Sequence, residues 1–254
     1  MSIVEQFKIQ LNEDYLIHRE NTWDYKSFHS KVSEIIDFSA GKNSEQVLKQ
    51  YLEYCVNDNF WISIVRVDQG KIENRLLLQK NKFDLIETSY EIFCEFKNLK
   101  NLNKFDNISD KFSLREDCSI PEVQNLAELI FHYGRFSEDL AIDKRKSNLR
   151  FKNWCWDLYC GDYRRVFLYH NKTIIGFMFF ETKENTMQLV LGGMHPKYSH
   201  LAYFFWTHIL QKYGKSKRIK TMISAANLGV LNLYSFFGFK VGKCLIGYRR
   251  FFRE

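Results

Sequence analysis

The stretch from Arg165 to Phe180 leaves this chain few ways to fold. Arg165–Val166–Phe167–Leu168–Tyr169 and Thr173–Ile174–Ile175–Gly176–Phe177–Met178–Phe179–Phe180 are rich in β-branched and aromatic residues, and only His170–Asn171–Lys172 separates them. Two such runs around a short turn predict an antiparallel hairpin. Met187–Met194 predicts a further strand, and Pro196 then leads into an amphipathic helix from about Leu201 to Tyr213 that stops at Gly214. Ile219–Ser224 reads as a strand, Leu228–Phe237 as a helix, Gly238–Phe239 as a turn and Cys244–Phe252 as a closing strand.

Upstream of the hairpin, Phe112–Arg115 starts a strand. Pro121 suits the first turn of a helix through Val123, Leu126, Ala127, Leu129 and Ile130, and another helix covers Leu149–Leu158. The first half also alternates. Asn43 or Ser44 can cap a helix through Val47, Leu48, Tyr51, Leu52 and Cys55; Phe60–Val67 is a strand ending at Asp68–Gln69–Gly70; Asn74–Lys80 is a helix and Phe83–Phe93 a strand. Between Lys97 and Lys111 the chain turns polar and Asn/Lys-rich, which places a domain boundary there and divides the chain into residues 1–110 and 111–254.

Composition supports two small domains or one large one. The 254 residues are 45% hydrophobic and 17% aromatic with only two prolines, so disordered, Pro-rich and collagen-like classes drop out. The net charge of +7 favours anionic partners, but the densest basic runs, Lys144–Lys146 and Lys215–Lys220, are short and read as solvated helix faces or turns rather than a nucleic-acid groove. The start Met1–Ser2–Ile3–Val4–Glu5 carries no export signal, and the longest apolar run, Ile174–Phe180, is strand-sized. The expectation is a cytoplasmic protein, not inserted in a membrane, with reduced thiols. Cys155 and Cys160 have no second Cys/His pair to complete a zinc site, so no metal is expected.

From about residue 112 the order strand, helix, hairpin, strand, loop–helix, strand, helix, strand resembles the GCN5-related N-acetyltransferase (GNAT) fold. The likeness is greatest at Asn227–Leu228–Gly229–Val230–Leu231–Asn232–Leu233–Tyr234–Ser235–Phe236–Phe237–Gly238–Phe239, where an Asn precedes a helix bearing Tyr and then Gly-Phe. A narrower likeness, in His132–Tyr133–Gly134–Arg135–Phe136–Ser137–Glu138–Asp139 and Phe151–Lys152–Asn153–Trp154, is to the dTDP-fucosamine acetyltransferase group, which acetylates a dTDP-linked amino-dideoxy sugar. The resemblance implies an α/β (α+β) fold with a central mixed, mostly antiparallel sheet flanked by helices, preceded by a smaller α/β N-terminal domain. That first domain is itself a candidate degenerate GNAT-like half. It implies acetyl-coenzyme A as cosubstrate and a small amine, a nucleotide-linked amino sugar, as acceptor, and it suggests a homodimer through the C-terminal strands.

The site residues follow from the same resemblance. Tyr234 is the proton donor to the departing sulfur. Leu191, Gly193 and Met194 line the strand along which pantetheine runs, with a backbone N–H near Gly193–Met194 holding the oxyanion. Ser199, His200, Leu201, Ala202 and Tyr203 occupy the pyrophosphate loop, and Asn227 belongs to the cofactor side. Tyr133, Arg135, Phe136, Asp139 and Trp154 shape the acceptor pocket; His132, His195 and Glu138 are candidate bases. The loop departs from the family's Arg/Gln-x-x-Gly-x-Gly/Ala pattern: Tyr198–Ser199–His200–Leu201–Ala202–Tyr203–Phe204 has no glycine. Two readings therefore stand. Either the helix N-terminus keeps its donors, with Lys197 and His200 adding charge, or bulky side chains close the phosphate path and the fold serves another donor, another amine or partner binding.

Overall fold

The computed structural model describes residues 5–105 and 111–253, so the boundary expected at residues 110/111 falls at the edge of residues that lie outside the description. In chain order the elements are β1 (Gln6–Leu11), β2 (Asp14–Glu20), α1 (Thr22–Phe28), β3 (Lys31–Phe38), α2 (Ser44–Asn57), β4 (Phe60–Asp68), α3 (Ile72–Lys80) and β5 (Asp84–Glu95). Then follow β6 (Phe112–Arg115), α4 (Ile120–Ile130), α5 (Lys144–Cys160), β7 (Arg164–His170), β8 (Thr173–Thr182), β9 (Thr186–Met194), α6 (Ala202–Tyr213), β10 (Arg218–Ser224), α7 (Leu228–Phe236) and β11 (Lys240–Phe251).

All the strands join one sheet in the order β1-β2-β3-β4-β11-β5-β10-β9-β8-β7-β6. Only β3–β4 and β9–β10 are parallel, so the sheet is mixed and mostly antiparallel, as the resemblance implied. The hairpin closes through Asn171 and Lys172, both at positive φ (46° and 70°), with His170 still paired to Thr173. Two positive φ values in a two-residue turn match the right-handed twist of the strands it joins. Ile174–Phe180 is buried throughout because β8 is covered on both faces, which explains its uninterrupted apolar run.

One arrangement occurs twice. A strand, a helix and a parallel strand (β3–α2–β4 and β9–α6–β10) are followed by a helix and a final strand, and the two final strands are exchanged: β11 lies beside β4, and β5 beside β10. Sequence periodicity does not specify this exchange. It puts β11 inside the sheet, paired with β4 over Leu245–Phe251 and with β5 over Lys240–Arg249, so nothing in this pairing supports the expected dimer through the C-terminal strands.

Helices α2, α3, α6 and α7 cover one face, and α1, α4 and α5 the other. The core under α2 holds a polar group that senses pH. His18 is 2% exposed among the rings of Phe7, Tyr51 and Tyr54, its Nδ1 has no partner, and burial pushes its pKa down to about 4 from the ordinary 6.5. Between these values the unfolded chain binds a proton that the folded one refuses. Stability should therefore hold above about pH 6.5 and fall as the pH drops toward 4. Melting curves at pH 7 and pH 5 check this: His18→Phe should shrink the difference between them, and half-buried His208, shifted the same way, leaves a remainder.

Candidate active site

β9 and β10 run side by side only over Thr186–Gln188 and Arg218–Lys220. Just beyond, β9 carries an extra residue, Val190, between Leu189 (opposite Phe180) and Leu191 (opposite Phe179). A bulge of this kind bends its strand, and here β9 and β10 part into a V. From Leu189 onward the peptide groups of β9 have no strand opposite them on the β10 side.

Three side chains meet at the V. Tyr234 comes from α7, whose start is fixed by Asn227: its Oδ1 accepts from the Val230 N–H at 3.2 Å. Thr221 of β10 donates its hydroxyl to the Leu189 carbonyl at 3.0 Å, bridging the strands where ladder pairing has stopped. Trp206 of α6 stands edge-on to Tyr234 at 6.4 Å, with its buried indole N–H beside the Tyr234 oxygen. Burial pushes the Tyr234 pKa up to about 12, with Trp206 and Thr221 beside its oxygen offsetting part of the shift. The phenol keeps its proton at any physiological pH and so has an O–H to donate.

The strand glycines have occupants. A Cβ on Gly193 would meet Ile130 Cδ1 at 2.4 Å, and one on Gly192 would meet Met178 Cε at 2.4 Å. Both glycines thus serve helix and strand packing. Met194 lays its sulfur over Gly176, and Leu191 is buried under α4 and α5.

The expected phosphate loop is a 3₁₀ segment, Pro196–Leu201, kinked at Tyr198 (φ −116°) and running into α6. Its i→i+3 bonds engage the N–H groups that a nest would turn outward. The N–H of Lys197 donates to His195 Nδ1 at 3.2 Å and that of Tyr198 to the His195 carbonyl at 2.8 Å. His195 is therefore a helix cap, not a base facing the V. Ser199 and His200 are exposed; Leu201, Ala202 and Tyr203 pack on the core, with Tyr203 edge-on to Phe236 at 4.8 Å.

The residues expected around the acceptor are dispersed. Tyr133 and His132 are exposed, and Trp154 packs beside Phe151 on α5. Arg135 donates to Glu34 of β3 at 2.6 Å, Phe136 is buried with Phe28, Val32, Ile62 and Ile64, and Asp139 pairs with Arg249 of β11 at 2.6 Å. Arg135 and Phe136 brace the segment after α4 against the first half of the chain and Asp139 braces it against β11, so their partners are protein rather than open cleft. Glu138 stands apart from them. Its Oε1 accepts from the Gly134 N–H at 2.7 Å and from the Ser224 hydroxyl at 2.5 Å, tying this segment to the end of β10 at the mouth of the V. Gly134 sits at φ +114°, a conformation side chains rarely allow.

The first half has a corresponding loop, after β3, and the side chain of Asp14, distant in sequence, occupies it. The Asp14 carboxylate accepts from the N–H groups of Gly41 (2.9 Å) and Asn43 (2.8 Å) and from the Ser39 hydroxyl (2.8 Å), and these bonds, Asn43's first, hold its pKa below the ordinary carboxylate value. Neither Asn43 nor Ser44 caps α2 with its own side chain, contrary to expectation. Between β3 and β4, Asn74 donates its amide to the Phe38 carbonyl at 3.0 Å. The first V is thereby tied, and its loop already holds an anion. Among the described residues no group of His, Cys, Asp and Glu is arranged to hold a metal, and no helix is long and apolar enough to cross a membrane.

No family model matches this chain, and no curated protein matches it in sequence. Solved structures do. A GCN5-related N-acetyltransferase from Sphaerobacter thermophilus superposes with a TM-score of 0.65 at 10% identity, covering 94% of this chain and 77% of that one. A tandem GNAT protein from the clavulanic acid biosynthesis pathway matches with a TM-score of 0.63 at 8% identity over 94% of this chain and 78% of its own. A GCN5-related glucosamine N-acetyltransferase region of a fungal multi-domain β-N-acetylglucosaminidase gives 0.66 at 9% identity over 92% of this chain and 31% of that one. None of these is described as a dTDP-fucosamine acetyltransferase, so the broader resemblance is supported and the narrower one is not. Over nearly its whole described length, the chain has the fold of the GCN5-related N-acetyltransferases.

Proposed function

We infer that this protein transfers an acetyl group from acetyl-coenzyme A to the amine of a small acceptor. The observation that carries the reading is Tyr234, a protonated phenol held at the V by a capped helix, beside strand peptides without ladder partners. Strand N–H groups without ladder partners suit a site that receives a carbonyl and a sulfur. The residues fit the thioester end of the cosubstrate. At the diphosphate end they offer the exposed side chains of Lys197 and His200 instead of a backbone nest.

Acetyl-coenzyme A would supply the activated carbonyl. Glu138 or water takes the ammonium proton that must leave first; the nitrogen then forms the new C–N bond as the C–S bond breaks, its second proton passes to water, and Tyr234 gives its proton to the departing sulfur and regains one from solvent. Because Tyr234 stays protonated to about pH 12, its ionisation gives no alkaline fall in rate. The rate should climb with pH as the amine deprotonates and then stay level to pH 10. A pH–rate profile that drops between pH 8 and 10 would count against this role for Tyr234.

The proposed acceptor class is an amino sugar, linked to a nucleotide in the reading the resemblance favoured. Similarity to a structure described as a glucosamine N-acetyltransferase region supports the sugar. We place a GNAT-like unit in residues 111–254 and a second, inactive copy in residues 1–110, on the support of the repeated β–α–β arrangement and the Asp14-filled loop. A thiol-release assay with acetyl-coenzyme A tests the activity, using glucosamine and a dTDP-linked amino sugar as acceptors. Acceptor-dependent thiol release is expected, and none with either amine contradicts the proposal. The 3₁₀ turn favours a second reading, a binding module that keeps the fold without transfer; it predicts no thiol release at all.

A further inference from the structure

A cavity of about 310 Å³ opens where β9 and β10 begin to part, on the sheet face that bears α1, α4 and α5. Strand alternation puts Lys220 of β10, Glu91 and Phe93 of β5 and Lys243 of β11 on this face, and Thr221 joins them at the edge. Thr221 turns its side chain to the other face of the sheet, beside the Tyr234 oxygen, so the cavity lies across β10 from Tyr234, at the base of the V. Lys243 stands opposite Glu91 in the β11–β5 ladder, yet neither these two nor Lys220 forms an ion pair. Neighbouring Arg218 is engaged already, lying over the Phe93 ring at 4.0 Å and 3.8 Å from Glu95. The hollow therefore presents two uncommitted ammonium groups and one uncommitted carboxylate.

Resting on the acetyltransferase reading, we propose that this cavity is the acceptor subsite and that it selects an amine which also carries an anionic group, a phosphate or a carboxylate. Lys220 and Lys243 take the anion, and Glu91 faces the ammonium group. Cations lining a concave surface attract anions and repel polycations, so polyamines and basic protein tails are disfavoured. The two lysines are specificity-determining residues and touch no reacting atom.

The test is calorimetric titration, without acetyl-coenzyme A, of glucosamine, glucosamine 6-phosphate and glucosaminate into the wild-type protein and into the Lys220→Gln/Lys243→Gln double variant. Both lysines are exposed, so an unchanged melting temperature verifies the variant's fold. At least one anionic amine should bind tenfold or more tightly than glucosamine, and this preference should vanish in the variant. The phosphate and carboxylate arms show which anion is read. Equal binding of all three, binding of none, or a preference that survives in the variant overturns the proposal. If lysine-dependent binding is found while acetyl-coenzyme A neither binds nor reacts, the subsite stands and the acetyltransferase reading fails.

Discussion

Tyr234→Phe should lower kcat by about 10²- to 10³-fold while leaving KM for the acceptor and the melting temperature nearly unchanged. The substitution removes one hydroxyl and keeps a ring that packs edge-on to Phe239 at 4.8 Å and to Trp206 at 6.4 Å. The cost to the fold is limited to the contacts Trp206 and Thr221 make with that oxygen, and Thr221 keeps its bond to the Leu189 carbonyl. What is lost is the donor to the leaving sulfur, an interaction that strengthens as negative charge develops there. Steady-state kinetics and a melting curve on one preparation check the result. A large stability loss, or an unchanged kcat, places Tyr234 outside the chemistry.

Arg135→Met should cost about 3 kcal/mol of stability, near the lower end for breaking a buried ion pair, because Glu34 keeps Arg19 as a second partner at 2.6 Å. For a chain of this size that lowers the melting temperature by roughly 6–12 °C. Burial alone would raise the Glu34 pKa, but Arg135 and Arg19 outweigh it and hold the carboxyl at about 2. A depressed carboxylate stabilises the folded state above the unfolded value of about 4.5, and that contribution is lost as the pH falls toward 2. Without Arg135 the Glu34 pKa rises, so acid unfolding should begin at higher pH. Arg145→Ala serves as the contrast: Arg145 is fully exposed against Asp143, and its loss should cost less than about 0.5 kcal/mol. Equal melting temperatures for Arg135→Met and wild type would mean that the brace between the two halves does not matter.

The sequence carried the fold wherever the determinants are local. The Asn227 cap, Gly238 at φ +83° and the buried run Ile174–Phe180 each act within a few residues, and the elements they specify lie where expected. The exchange of β5 and β11 escaped because hydrophobic alternation shows which face a strand buries, not which strand it pairs with. Residues 6–38 carry no strong signal either. β1 is mostly exposed at the sheet edge, and α1 has seven residues.

The same limit divided the site. Tyr234 could be found because its helix is locally encoded. Arg135, Phe136 and Asp139 looked like ligand contacts because an arginine, an aromatic ring and a carboxylate read alike whether they face a substrate or a neighbouring strand, and Glu34 and Arg249 lie about a hundred residues away. Asp14 gave no local signal at all. Its role depends on a loop reached only through β2–β3 pairing, although Gly41 was a clue: a Cβ there would sit 2.2 Å from the Asp14 carboxylate.

The most direct measurement is calorimetric titration of acetyl-coenzyme A into the wild-type protein, with coenzyme A and acetate as controls. The V-site account predicts saturable binding with a stoichiometry of one per chain, because Asp14 fills the loop of the first half, and a Kd in the micromolar range, about −8 kcal/mol. No heat with acetyl-coenzyme A, together with no shift in melting temperature, would contradict it and leave a GNAT fold that does not use this donor.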